Sequence, residues 1–295
     1  MIILSDFSQL AISAVAANPE VIKGDNTADL VKHIALVSIL NLKQKFGGRL
    51  ILCCDSRTYW RKEVFPLYKG HRKHHKDTGI DWDMVYSTIN EMKAELSENF
   101  PYMVLEVPGA EADDIIATLV KYFSENELTQ TGLIQAPNQI VIGSTDGDFK
   151  QLQKYKNVKQ WGNVTKTFIE CKNPREYLIE HIITGDAGDN IPSVVNGDAW
   201  AESRANNIPT RAKPLMKTRY QLFFEMGYDA CQNEEEQRNY KRNEALIDLD
   251  LIPTNISDKI IKAYHEYEIK GNKPKIMAYL QQHRMKLLLQ SIQQF

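Results

Sequence analysis

The chain has 295 residues, 43% of them hydrophobic, with 36 Lys plus Arg against 38 Asp plus Glu for a net charge of −2. This is globular composition with enough length for one large domain or two unequal ones, and it excludes a disordered or fibrous chain. No apolar run approaches the roughly 20 residues of a membrane span. Near-neutral charge speaks against a nucleic-acid partner only where the charges are evenly mixed. Ile2–Leu4 reads as a short buried strand, and Thr27–Phe46 as an amphipathic helix stopped by Gly47-Gly48. Leu50–Cys54 is the next strand, followed by a helix over Trp82–Leu96, a strand over Tyr102–Val107, a helix over Ala112–Phe123 and a strand over Ile140–Gly143. This alternation predicts an α/β fold, a mainly parallel twisted sheet with helices on both faces. Beyond about residue 170 only helices are predicted, over Pro174–Ile183, Leu215–Met226, Glu234–Leu249, Ile256–Tyr267 and Ile276–Leu289. The expected organisation is a catalytic α/β domain over residues 1–184 and a smaller helical domain over 185–295. Cys53, Cys54, Cys171 and Cys231 have no CxxC spacing, and the N-terminus has no basic leader, so a reducing cytoplasm is expected.

The acids fall at the ends of the predicted strands. Asp6 follows the first, Asp55 the second, Glu111, Asp113 and Asp114 open the helix after the third, and Asp146 and Asp148 follow the fourth. Each alone is most often a turn former, an N-cap or a helix-dipole partner. Together, at the carboxyl edge of a parallel sheet, they repel one another unless cations compensate them. Oxygen donors suit Mg²⁺, with Mn²⁺ as the alternative, and no His lies at these positions, which counts against zinc. Gly185-Asp186-Ala187-Gly188-Asp189 supplies Asp186 and Asp189 as a candidate second wall of the same site. Two adjacent cations suit in-line displacement at phosphorus.

The bases are also clustered. Residues 57–76 hold Arg57, Arg61, Lys62, Lys69, Arg72, Lys73 and Lys76 against one acid, Glu63, with Tyr59, Trp60, Phe65 and Tyr68 interleaved. That mixture suits a single-strand groove, where charge tracks phosphates and rings stack on bases. The segment leaves directly from Asp55, which favours phosphate binding over a merely solvated loop. Arg204, Arg211, Lys213, Lys217 and Arg219 form a second basic stretch without an acid among them. Backbone contact with a duplex and a solvated loop are nearly equal readings of it.

Cys54-Asp55-Ser56, Tyr68-Lys69-Gly70-His71-Arg72, Glu111-Ala112-Asp113-Asp114, Thr145-Asp146-Gly147-Asp148-Phe149 and Gly185-Asp186-Ala187-Gly188-Asp189-Asn190-Ile191-Pro192 resemble the 5′-nuclease (flap endonuclease) family, in that family's order. Asp6-Phe7-Ser8-Gln9, Val158-Lys159-Gln160-Trp161 and Ser291-Ile292-Gln293-Gln294-Phe295 resemble its phage ribonuclease H branch. The resemblance implies a 5′-to-3′ exonuclease and flap endonuclease acting on RNA–DNA and DNA–DNA duplexes, removing RNA primers and leaving 5′ phosphates. It implies one metal near Asp6, Asp55, Glu111, Asp113 and Asp146, and another near Asp148, Asp186 and Asp189, with Asp114 able to serve either. Lys69 and Arg72 would be the catalytic basic pair at the base of a helical arch spanning about 57–98, and the C-terminal helices would hold duplex DNA. Ser193–Trp200 departs from the glycine-rich hairpin of many relatives, so the monovalent ion of that hairpin is not expected.

A small-molecule phosphatase would need the acids but neither basic stretch. A non-catalytic binder of branched DNA would need neither the full acid set nor metal. The chain is expected to be a monomer. Its tail, with Gln290, Ile292 and Phe295, is either a docking segment for a single-strand-binding protein or sliding clamp, or a frayed helix end.

Overall fold

The computed structural model describes residues 1–18, 27–73, 80–126, 128–131 and 134–295. The strands are β1 (Ile2–Asp6), β2 (Arg49–Cys54), β3 (Met103–Glu106), β4 (Leu128–Thr131), β5 (Ile134–Pro137), β6 (Ile140–Gly143), β7 (Val158–Gly162) and β8 (Thr167–Ile169). Six of them form one sheet in the order β3-β2-β1-β6-β7-β8. All neighbours are parallel except β7 and β8. β4 and β5 make a separate antiparallel hairpin.

The central strands are apolar without interruption because both faces are covered. Ile3, Leu50, Leu52, Cys54, Val104 and Val141 face α1 (Phe7–Ala16), α2 (Thr27–Phe46) and α4 (Trp82–Asn99). Their alternates Leu4, Ile51, Cys53, Leu105 and Ile142 face α5 (Ala112–Glu125). A third cluster joins Phe65 and Tyr68, just after the short α3 (Arg61–Val64), to α6 (Pro174–Thr184), α7 (Asp198–Ala205), α8 (Lys217–Met226) and α9 (Glu234–Ile247).

The chain after residue 184 does not gather into one helical body. Only its part up to α9 belongs to the third cluster. Ile256, Ile260 and Tyr264 of α10 (Thr254–Glu266) pack with α5. Ile276, Tyr279, Leu280 and Leu288, on α11 (Lys273–Gln282) and α12 (Lys286–Gln290), join the core on the opposite face. The single helix expected over Ile276–Leu289 is broken because Arg284 is left-handed (φ 54°) and Met285 N–H donates to the Leu280 carbonyl at 2.8 Å, a Schellman-type stop. The tail is also held: Phe295 lies 5.4 Å from the Phe100 ring and Ile292 packs beside it.

The arch was expected over 57–98, and the later part of that range is not part of one. Val85, Ile89, Met92 and Leu96 place α4 in the core of one sheet face, so it is a covering helix. Residues 74–79 lie outside the described residues, and among those described no helix is long and apolar enough to cross a membrane. α1, β7 and β8 were not foreseen. α1 begins within the run that ends β1, and β7 alternates buried Val158 and Gln160 with exposed Lys159, too short a pattern to stand out.

Sharing of the sheet's cores by the C-terminal helices has a measurable consequence. Replacing Ile260, which has no exposed surface, by Ala should cost about 2–5 kcal/mol. Urea unfolding should show one transition moved to lower denaturant, at the same midpoint by far-UV circular dichroism and by tryptophan fluorescence.

Candidate metal centre

The strand order reverses between β1 and β6, and the acids converge at the carboxyl edge around that point. Asp6 caps α1, one of its oxygens accepting the Gln9 N–H at 2.9 Å. Asp55 Oδ1 accepts the Ala112 N–H at 2.9 Å and so ties the end of β2 to the start of α5. Asp146 Oδ1 accepts the Asp148 N–H at 2.9 Å, opening a 3-10 helix over Asp148–Lys154. These acids are therefore caps and turn formers, as the plain reading has it, and they are also gathered at one edge.

Their electrostatics show the cost. Burial, then repulsion from Asp55 and Asp146, raises the Asp6 carboxyl to about 7. Burial and Asp148 raise Asp146 to about 6. Asp113 is raised well above its ordinary value by burial, Asp146 and Asp6. Carboxylates that hold protons near neutrality for want of a counter-charge are suited to divalent cations. The all-oxygen donor set of Asp6, Asp55, Asp113 and Asp146 fits a hard ion.

Glu111, Asp114 and Asp189 are used differently. Asp114 is fully buried and turned inward: it completes a capping box with the Glu111 backbone and accepts from Trp60 Nε1 at 3.1 Å and Arg61 Nη1 at 2.8 Å. The expectation that Asp114 serves a metal is corrected by this bonding. Arg61 also reaches Glu111 Oε2 at 2.9 Å and the Leu246 carbonyl at 2.8 Å. It is 3% exposed, so it braces the site and is not available to nucleic acid. Tyr68, 2% exposed, donates to Asp189 Oδ2 at 2.6 Å and is no stacking platform. Lys69 Nζ lies 2.6 Å from Glu111 and 3.6 Å from Asp189, and Arg72 Nη2 lies 2.7 Å from Asp189. Burial pulls the Lys69 ammonium down, but Asp189 and Glu111 outweigh it and raise it.

The residue that sequence reasoning missed is His181. Its Nε2 is 3.0 Å from Asp148 and 3.5 Å from Asp186. Burial lowers its basicity, yet those two carboxylates raise it to about 10. Among the described residues, Asp148, His181 and Asp186 are one group whose ligand atoms all lie within 4.8 Å of one another. Asp189, the expected partner of Asp186, is instead held by Tyr68, Lys69 and Arg72. The available signal was position: His181 sits in the last turn of α6, directly before the Gly185 turn. Five surface cavities of about 280–460 Å³ contain none of the nine predicted acids.

The model of the 5′-3′ exonuclease N-terminal resolvase-like domain matches residues 2–179, and that of the T4 RNase H C-terminal region matches 174–295. The chain belongs to the 5′-3′ exonuclease family. It is 34% identical to ribonuclease H of Enterobacteria phage T4 over all of this chain and 95% of that protein. Flap endonuclease Xni of Shewanella pealeana is 32% identical over 46% of this chain and 48% of its own. A crystal structure of the bacteriophage T5 D15 flap endonuclease, in a complex with DNA and metal ions, shares the fold at TM-score 0.61, 18% identity and 90% coverage of this chain and 98% of that one. The protein is therefore a metal-dependent phosphodiesterase of the exonuclease and flap nuclease type.

In this exonuclease the exposed bases are fewer than the sequence list. Arg57 and Lys62 are exposed, Lys62 lying 5.0 Å over the Tyr59 ring. Lys76 and the side chain of Lys73 lie outside the described residues. Arg211, Lys213 and Lys217 are exposed on and beside the start of α8. Arg219 is instead paired with Glu236 at 2.5 Å, and Arg204 donates to the Ala187 carbonyl at 2.9 Å while stacking on Trp200.

Two outcomes follow from this electrostatic arrangement. Arg61→Ala removes the ion-pair partner of buried Asp114 and leaves Glu111 with Lys69, and it should destabilise the fold by about 3–5 kcal/mol in urea titrations. Because Asp6 and Asp146 bind protons more tightly folded than unfolded, the chelated protein should lose stability as pH rises from about 4 to 7. The His181 contribution, raised to about 10, is full below pH 6.5 and falls steadily from there to pH 10, so it adds the same slope above pH 6.5 to the parent and to a variant at Asp6. Asp6→Asn should flatten the slope between pH 5 and 7.5 by about 1–2 kcal/mol, and millimolar Mg²⁺ should erase the difference from the parent.

Proposed function

We propose that this exonuclease removes nucleotides from the 5′ side of RNA–DNA and DNA–DNA duplexes and cuts 5′ flaps, using two Mg²⁺ ions and leaving 5′ phosphates, as in primer removal during lagging-strand replication. The observation that carries the reading is the gathering of proton-holding carboxylates at the switch point, with the Lys69–Arg72 pair fastened to acids of the same edge. Asp6, Asp55, Asp113 and Asp146, with Glu111 beside them, would hold one ion, and Asp148 and Asp186 the second. Bound there, such ions neutralise phosphodiester charge and lower the pKa of an attacking water. Mn²⁺ would substitute, its ligand preferences being similar.

Lys69 and Arg72 act on the non-bridging oxygens. Without substrate their charges are spent on Glu111 and Asp189, and a phosphodiester competes for the same donors. The backbone holds the pair in place: Lys69 is left-handed (φ 56°) and its N–H donates to the Asp189 carbonyl at 2.8 Å. Exposed Arg57, Lys62, Arg211, Lys213 and Lys217 would follow the nucleic-acid backbone, giving a salt-dependent, sequence-independent grip. In this reading residues 185–295 contribute duplex contacts while sharing the sheet's cores. A single-strand-binding protein or sliding clamp docking at the C-terminus would meet exposed Leu287, Gln293 and Gln294, since Phe295 is packed inward.

Asp146→Asn should cut single-turnover cleavage of a labelled 5′-flap substrate by at least about 10²-fold, with DNA affinity measured in Ca²⁺ changed little. Cleavage at the parental rate would overturn the assignment. Affinity that ignored salt would favour a small-molecule phosphatase.

A further inference from the structure

We propose that His181 is a nitrogen ligand of the second cation and gives that position a higher intrinsic affinity for a first-row transition ion such as Fe²⁺, Co²⁺ or Zn²⁺ than for Mg²⁺, which fills it where Mg²⁺ is the abundant ion. The inference rests on the reading above that Asp148 and Asp186 hold a cation, and it goes further in naming the third donor and the ion class. Its geometric basis is the spacing of three side-chain atoms. Two donors about 2.1 Å from one ion stand about 3.0 Å apart at right angles and about 3.4 Å apart at the tetrahedral angle. His181 Nε2 stands 3.0 Å from Asp148 Oδ1 and 3.5 Å from Asp186 Oδ2.

The three donors are held from independent directions. The His181 ring stacks on Tyr177, one turn earlier on α6, at 5.7 Å and 20°. Asp186 Oδ1 accepts the Gly188 and Asp189 N–H groups at 2.6 and 3.2 Å, which leaves Oδ2 as the oxygen facing His181. The turn between them needs glycine at 185, where φ is 69° and a Cβ would lie 2.4 Å from the Ile191 carbonyl oxygen. Asp148 opens its own 3-10 helix, and the Tyr177 hydroxyl lies 2.5 Å from where a Cβ at Gly147 would stand. Asp189 is occupied by cations, so the imidazole is the donor available in its stead.

The chemical consequence is selectivity. Mg²⁺ takes oxygen donors and keeps several waters, whereas imidazole raises affinity for later first-row ions in the Irving–Williams order. The two positions would then differ: Asp6, Asp55, Asp113 and Asp146 offer oxygen only, while the second offers two oxygens and one nitrogen.

Co²⁺ is the probe, added to the full-length chelated protein and followed by visible absorption, calorimetry and histidine-ring NMR. The expected result is that two Co²⁺ bind, that the ring signals missing from His181→Gln are the ones shifted by Co²⁺ in the parent, and that His181→Gln weakens one Co²⁺ site at least tenfold while Mg²⁺ affinity changes less than about threefold. Unshifted His181 ring signals in the parent at saturating Co²⁺ would overturn the proposal without depending on how any variant folds. So would Co²⁺ affinity that is unchanged or higher in His181→Gln, the result expected of an imidazolium that merely occupies the cation's place. Asp148→Asn separates the two levels: loss of a Co²⁺ site there but not in His181→Gln defeats only the His181 inference. Retention of both sites in Asp148→Asn defeats the second metal position itself.

Discussion

The interaction on which the rest of the molecule depends is repulsion among carboxylates that a parallel sheet brings to one edge. Strand ends on both sides of the switch point deliver acids to the same place, and burial there raises Asp6 and Asp146 toward neutrality. A fold that accepts this charge must provide positive charge in return. Two kinds of compensation are built from the chain itself: a permanent one at Arg61 and an exchangeable one at Lys69, Arg72 and His181. The permanent pair is internal and dry. The exchangeable cations stand where cofactor and substrate would arrive.

That division explains why a chain of net charge −2 handles polyanions. With Asp114 turned inward, eight of the predicted acids stand at one edge, and setting those eight aside leaves 36 bases against 30 acids in the chain. The average charge reports neither the depth of the acidic edge nor the exposed bases beside it. Local separation of charge, rather than excess, is the property relevant to phosphate.

Much of this was legible in the sequence because strand ends are legible. Ile140–Gly143 was bounded as found, and once four strand ends are placed, Asp6, Asp55, Asp113, Asp146 and Asp148 follow from parallel topology. Direction within a helical turn was not legible. Asp113 and Asp114 are adjacent, yet one faces the edge and the other turns inward as the third residue of a capping box. Nor does composition separate Arg61, which is buried, from its neighbour Lys62, which is exposed. His181 escaped because its role arises from where α6 lies against the 3-10 helix after β6, a tertiary distance that its place in the last turn of α6 does not by itself reveal. The C-terminal helices were found as elements, but their return to both sheet faces depends on which apolar stripes meet, and helical periodicity alone carries no partner.

The Arg61 guanidinium touches acids 50 and 53 positions later in the chain and a main-chain carbonyl 185 positions later. Chemistry and C-terminal architecture are thereby written into one side chain, and the carbonyl end of that link is indifferent to which residue supplies it. The bond fixes the path of the last turn of α9, whereas the Leu246 side chain is fixed separately by its burial. One position of α9 is therefore held twice, its backbone by the active-site brace and its side chain by the third cluster.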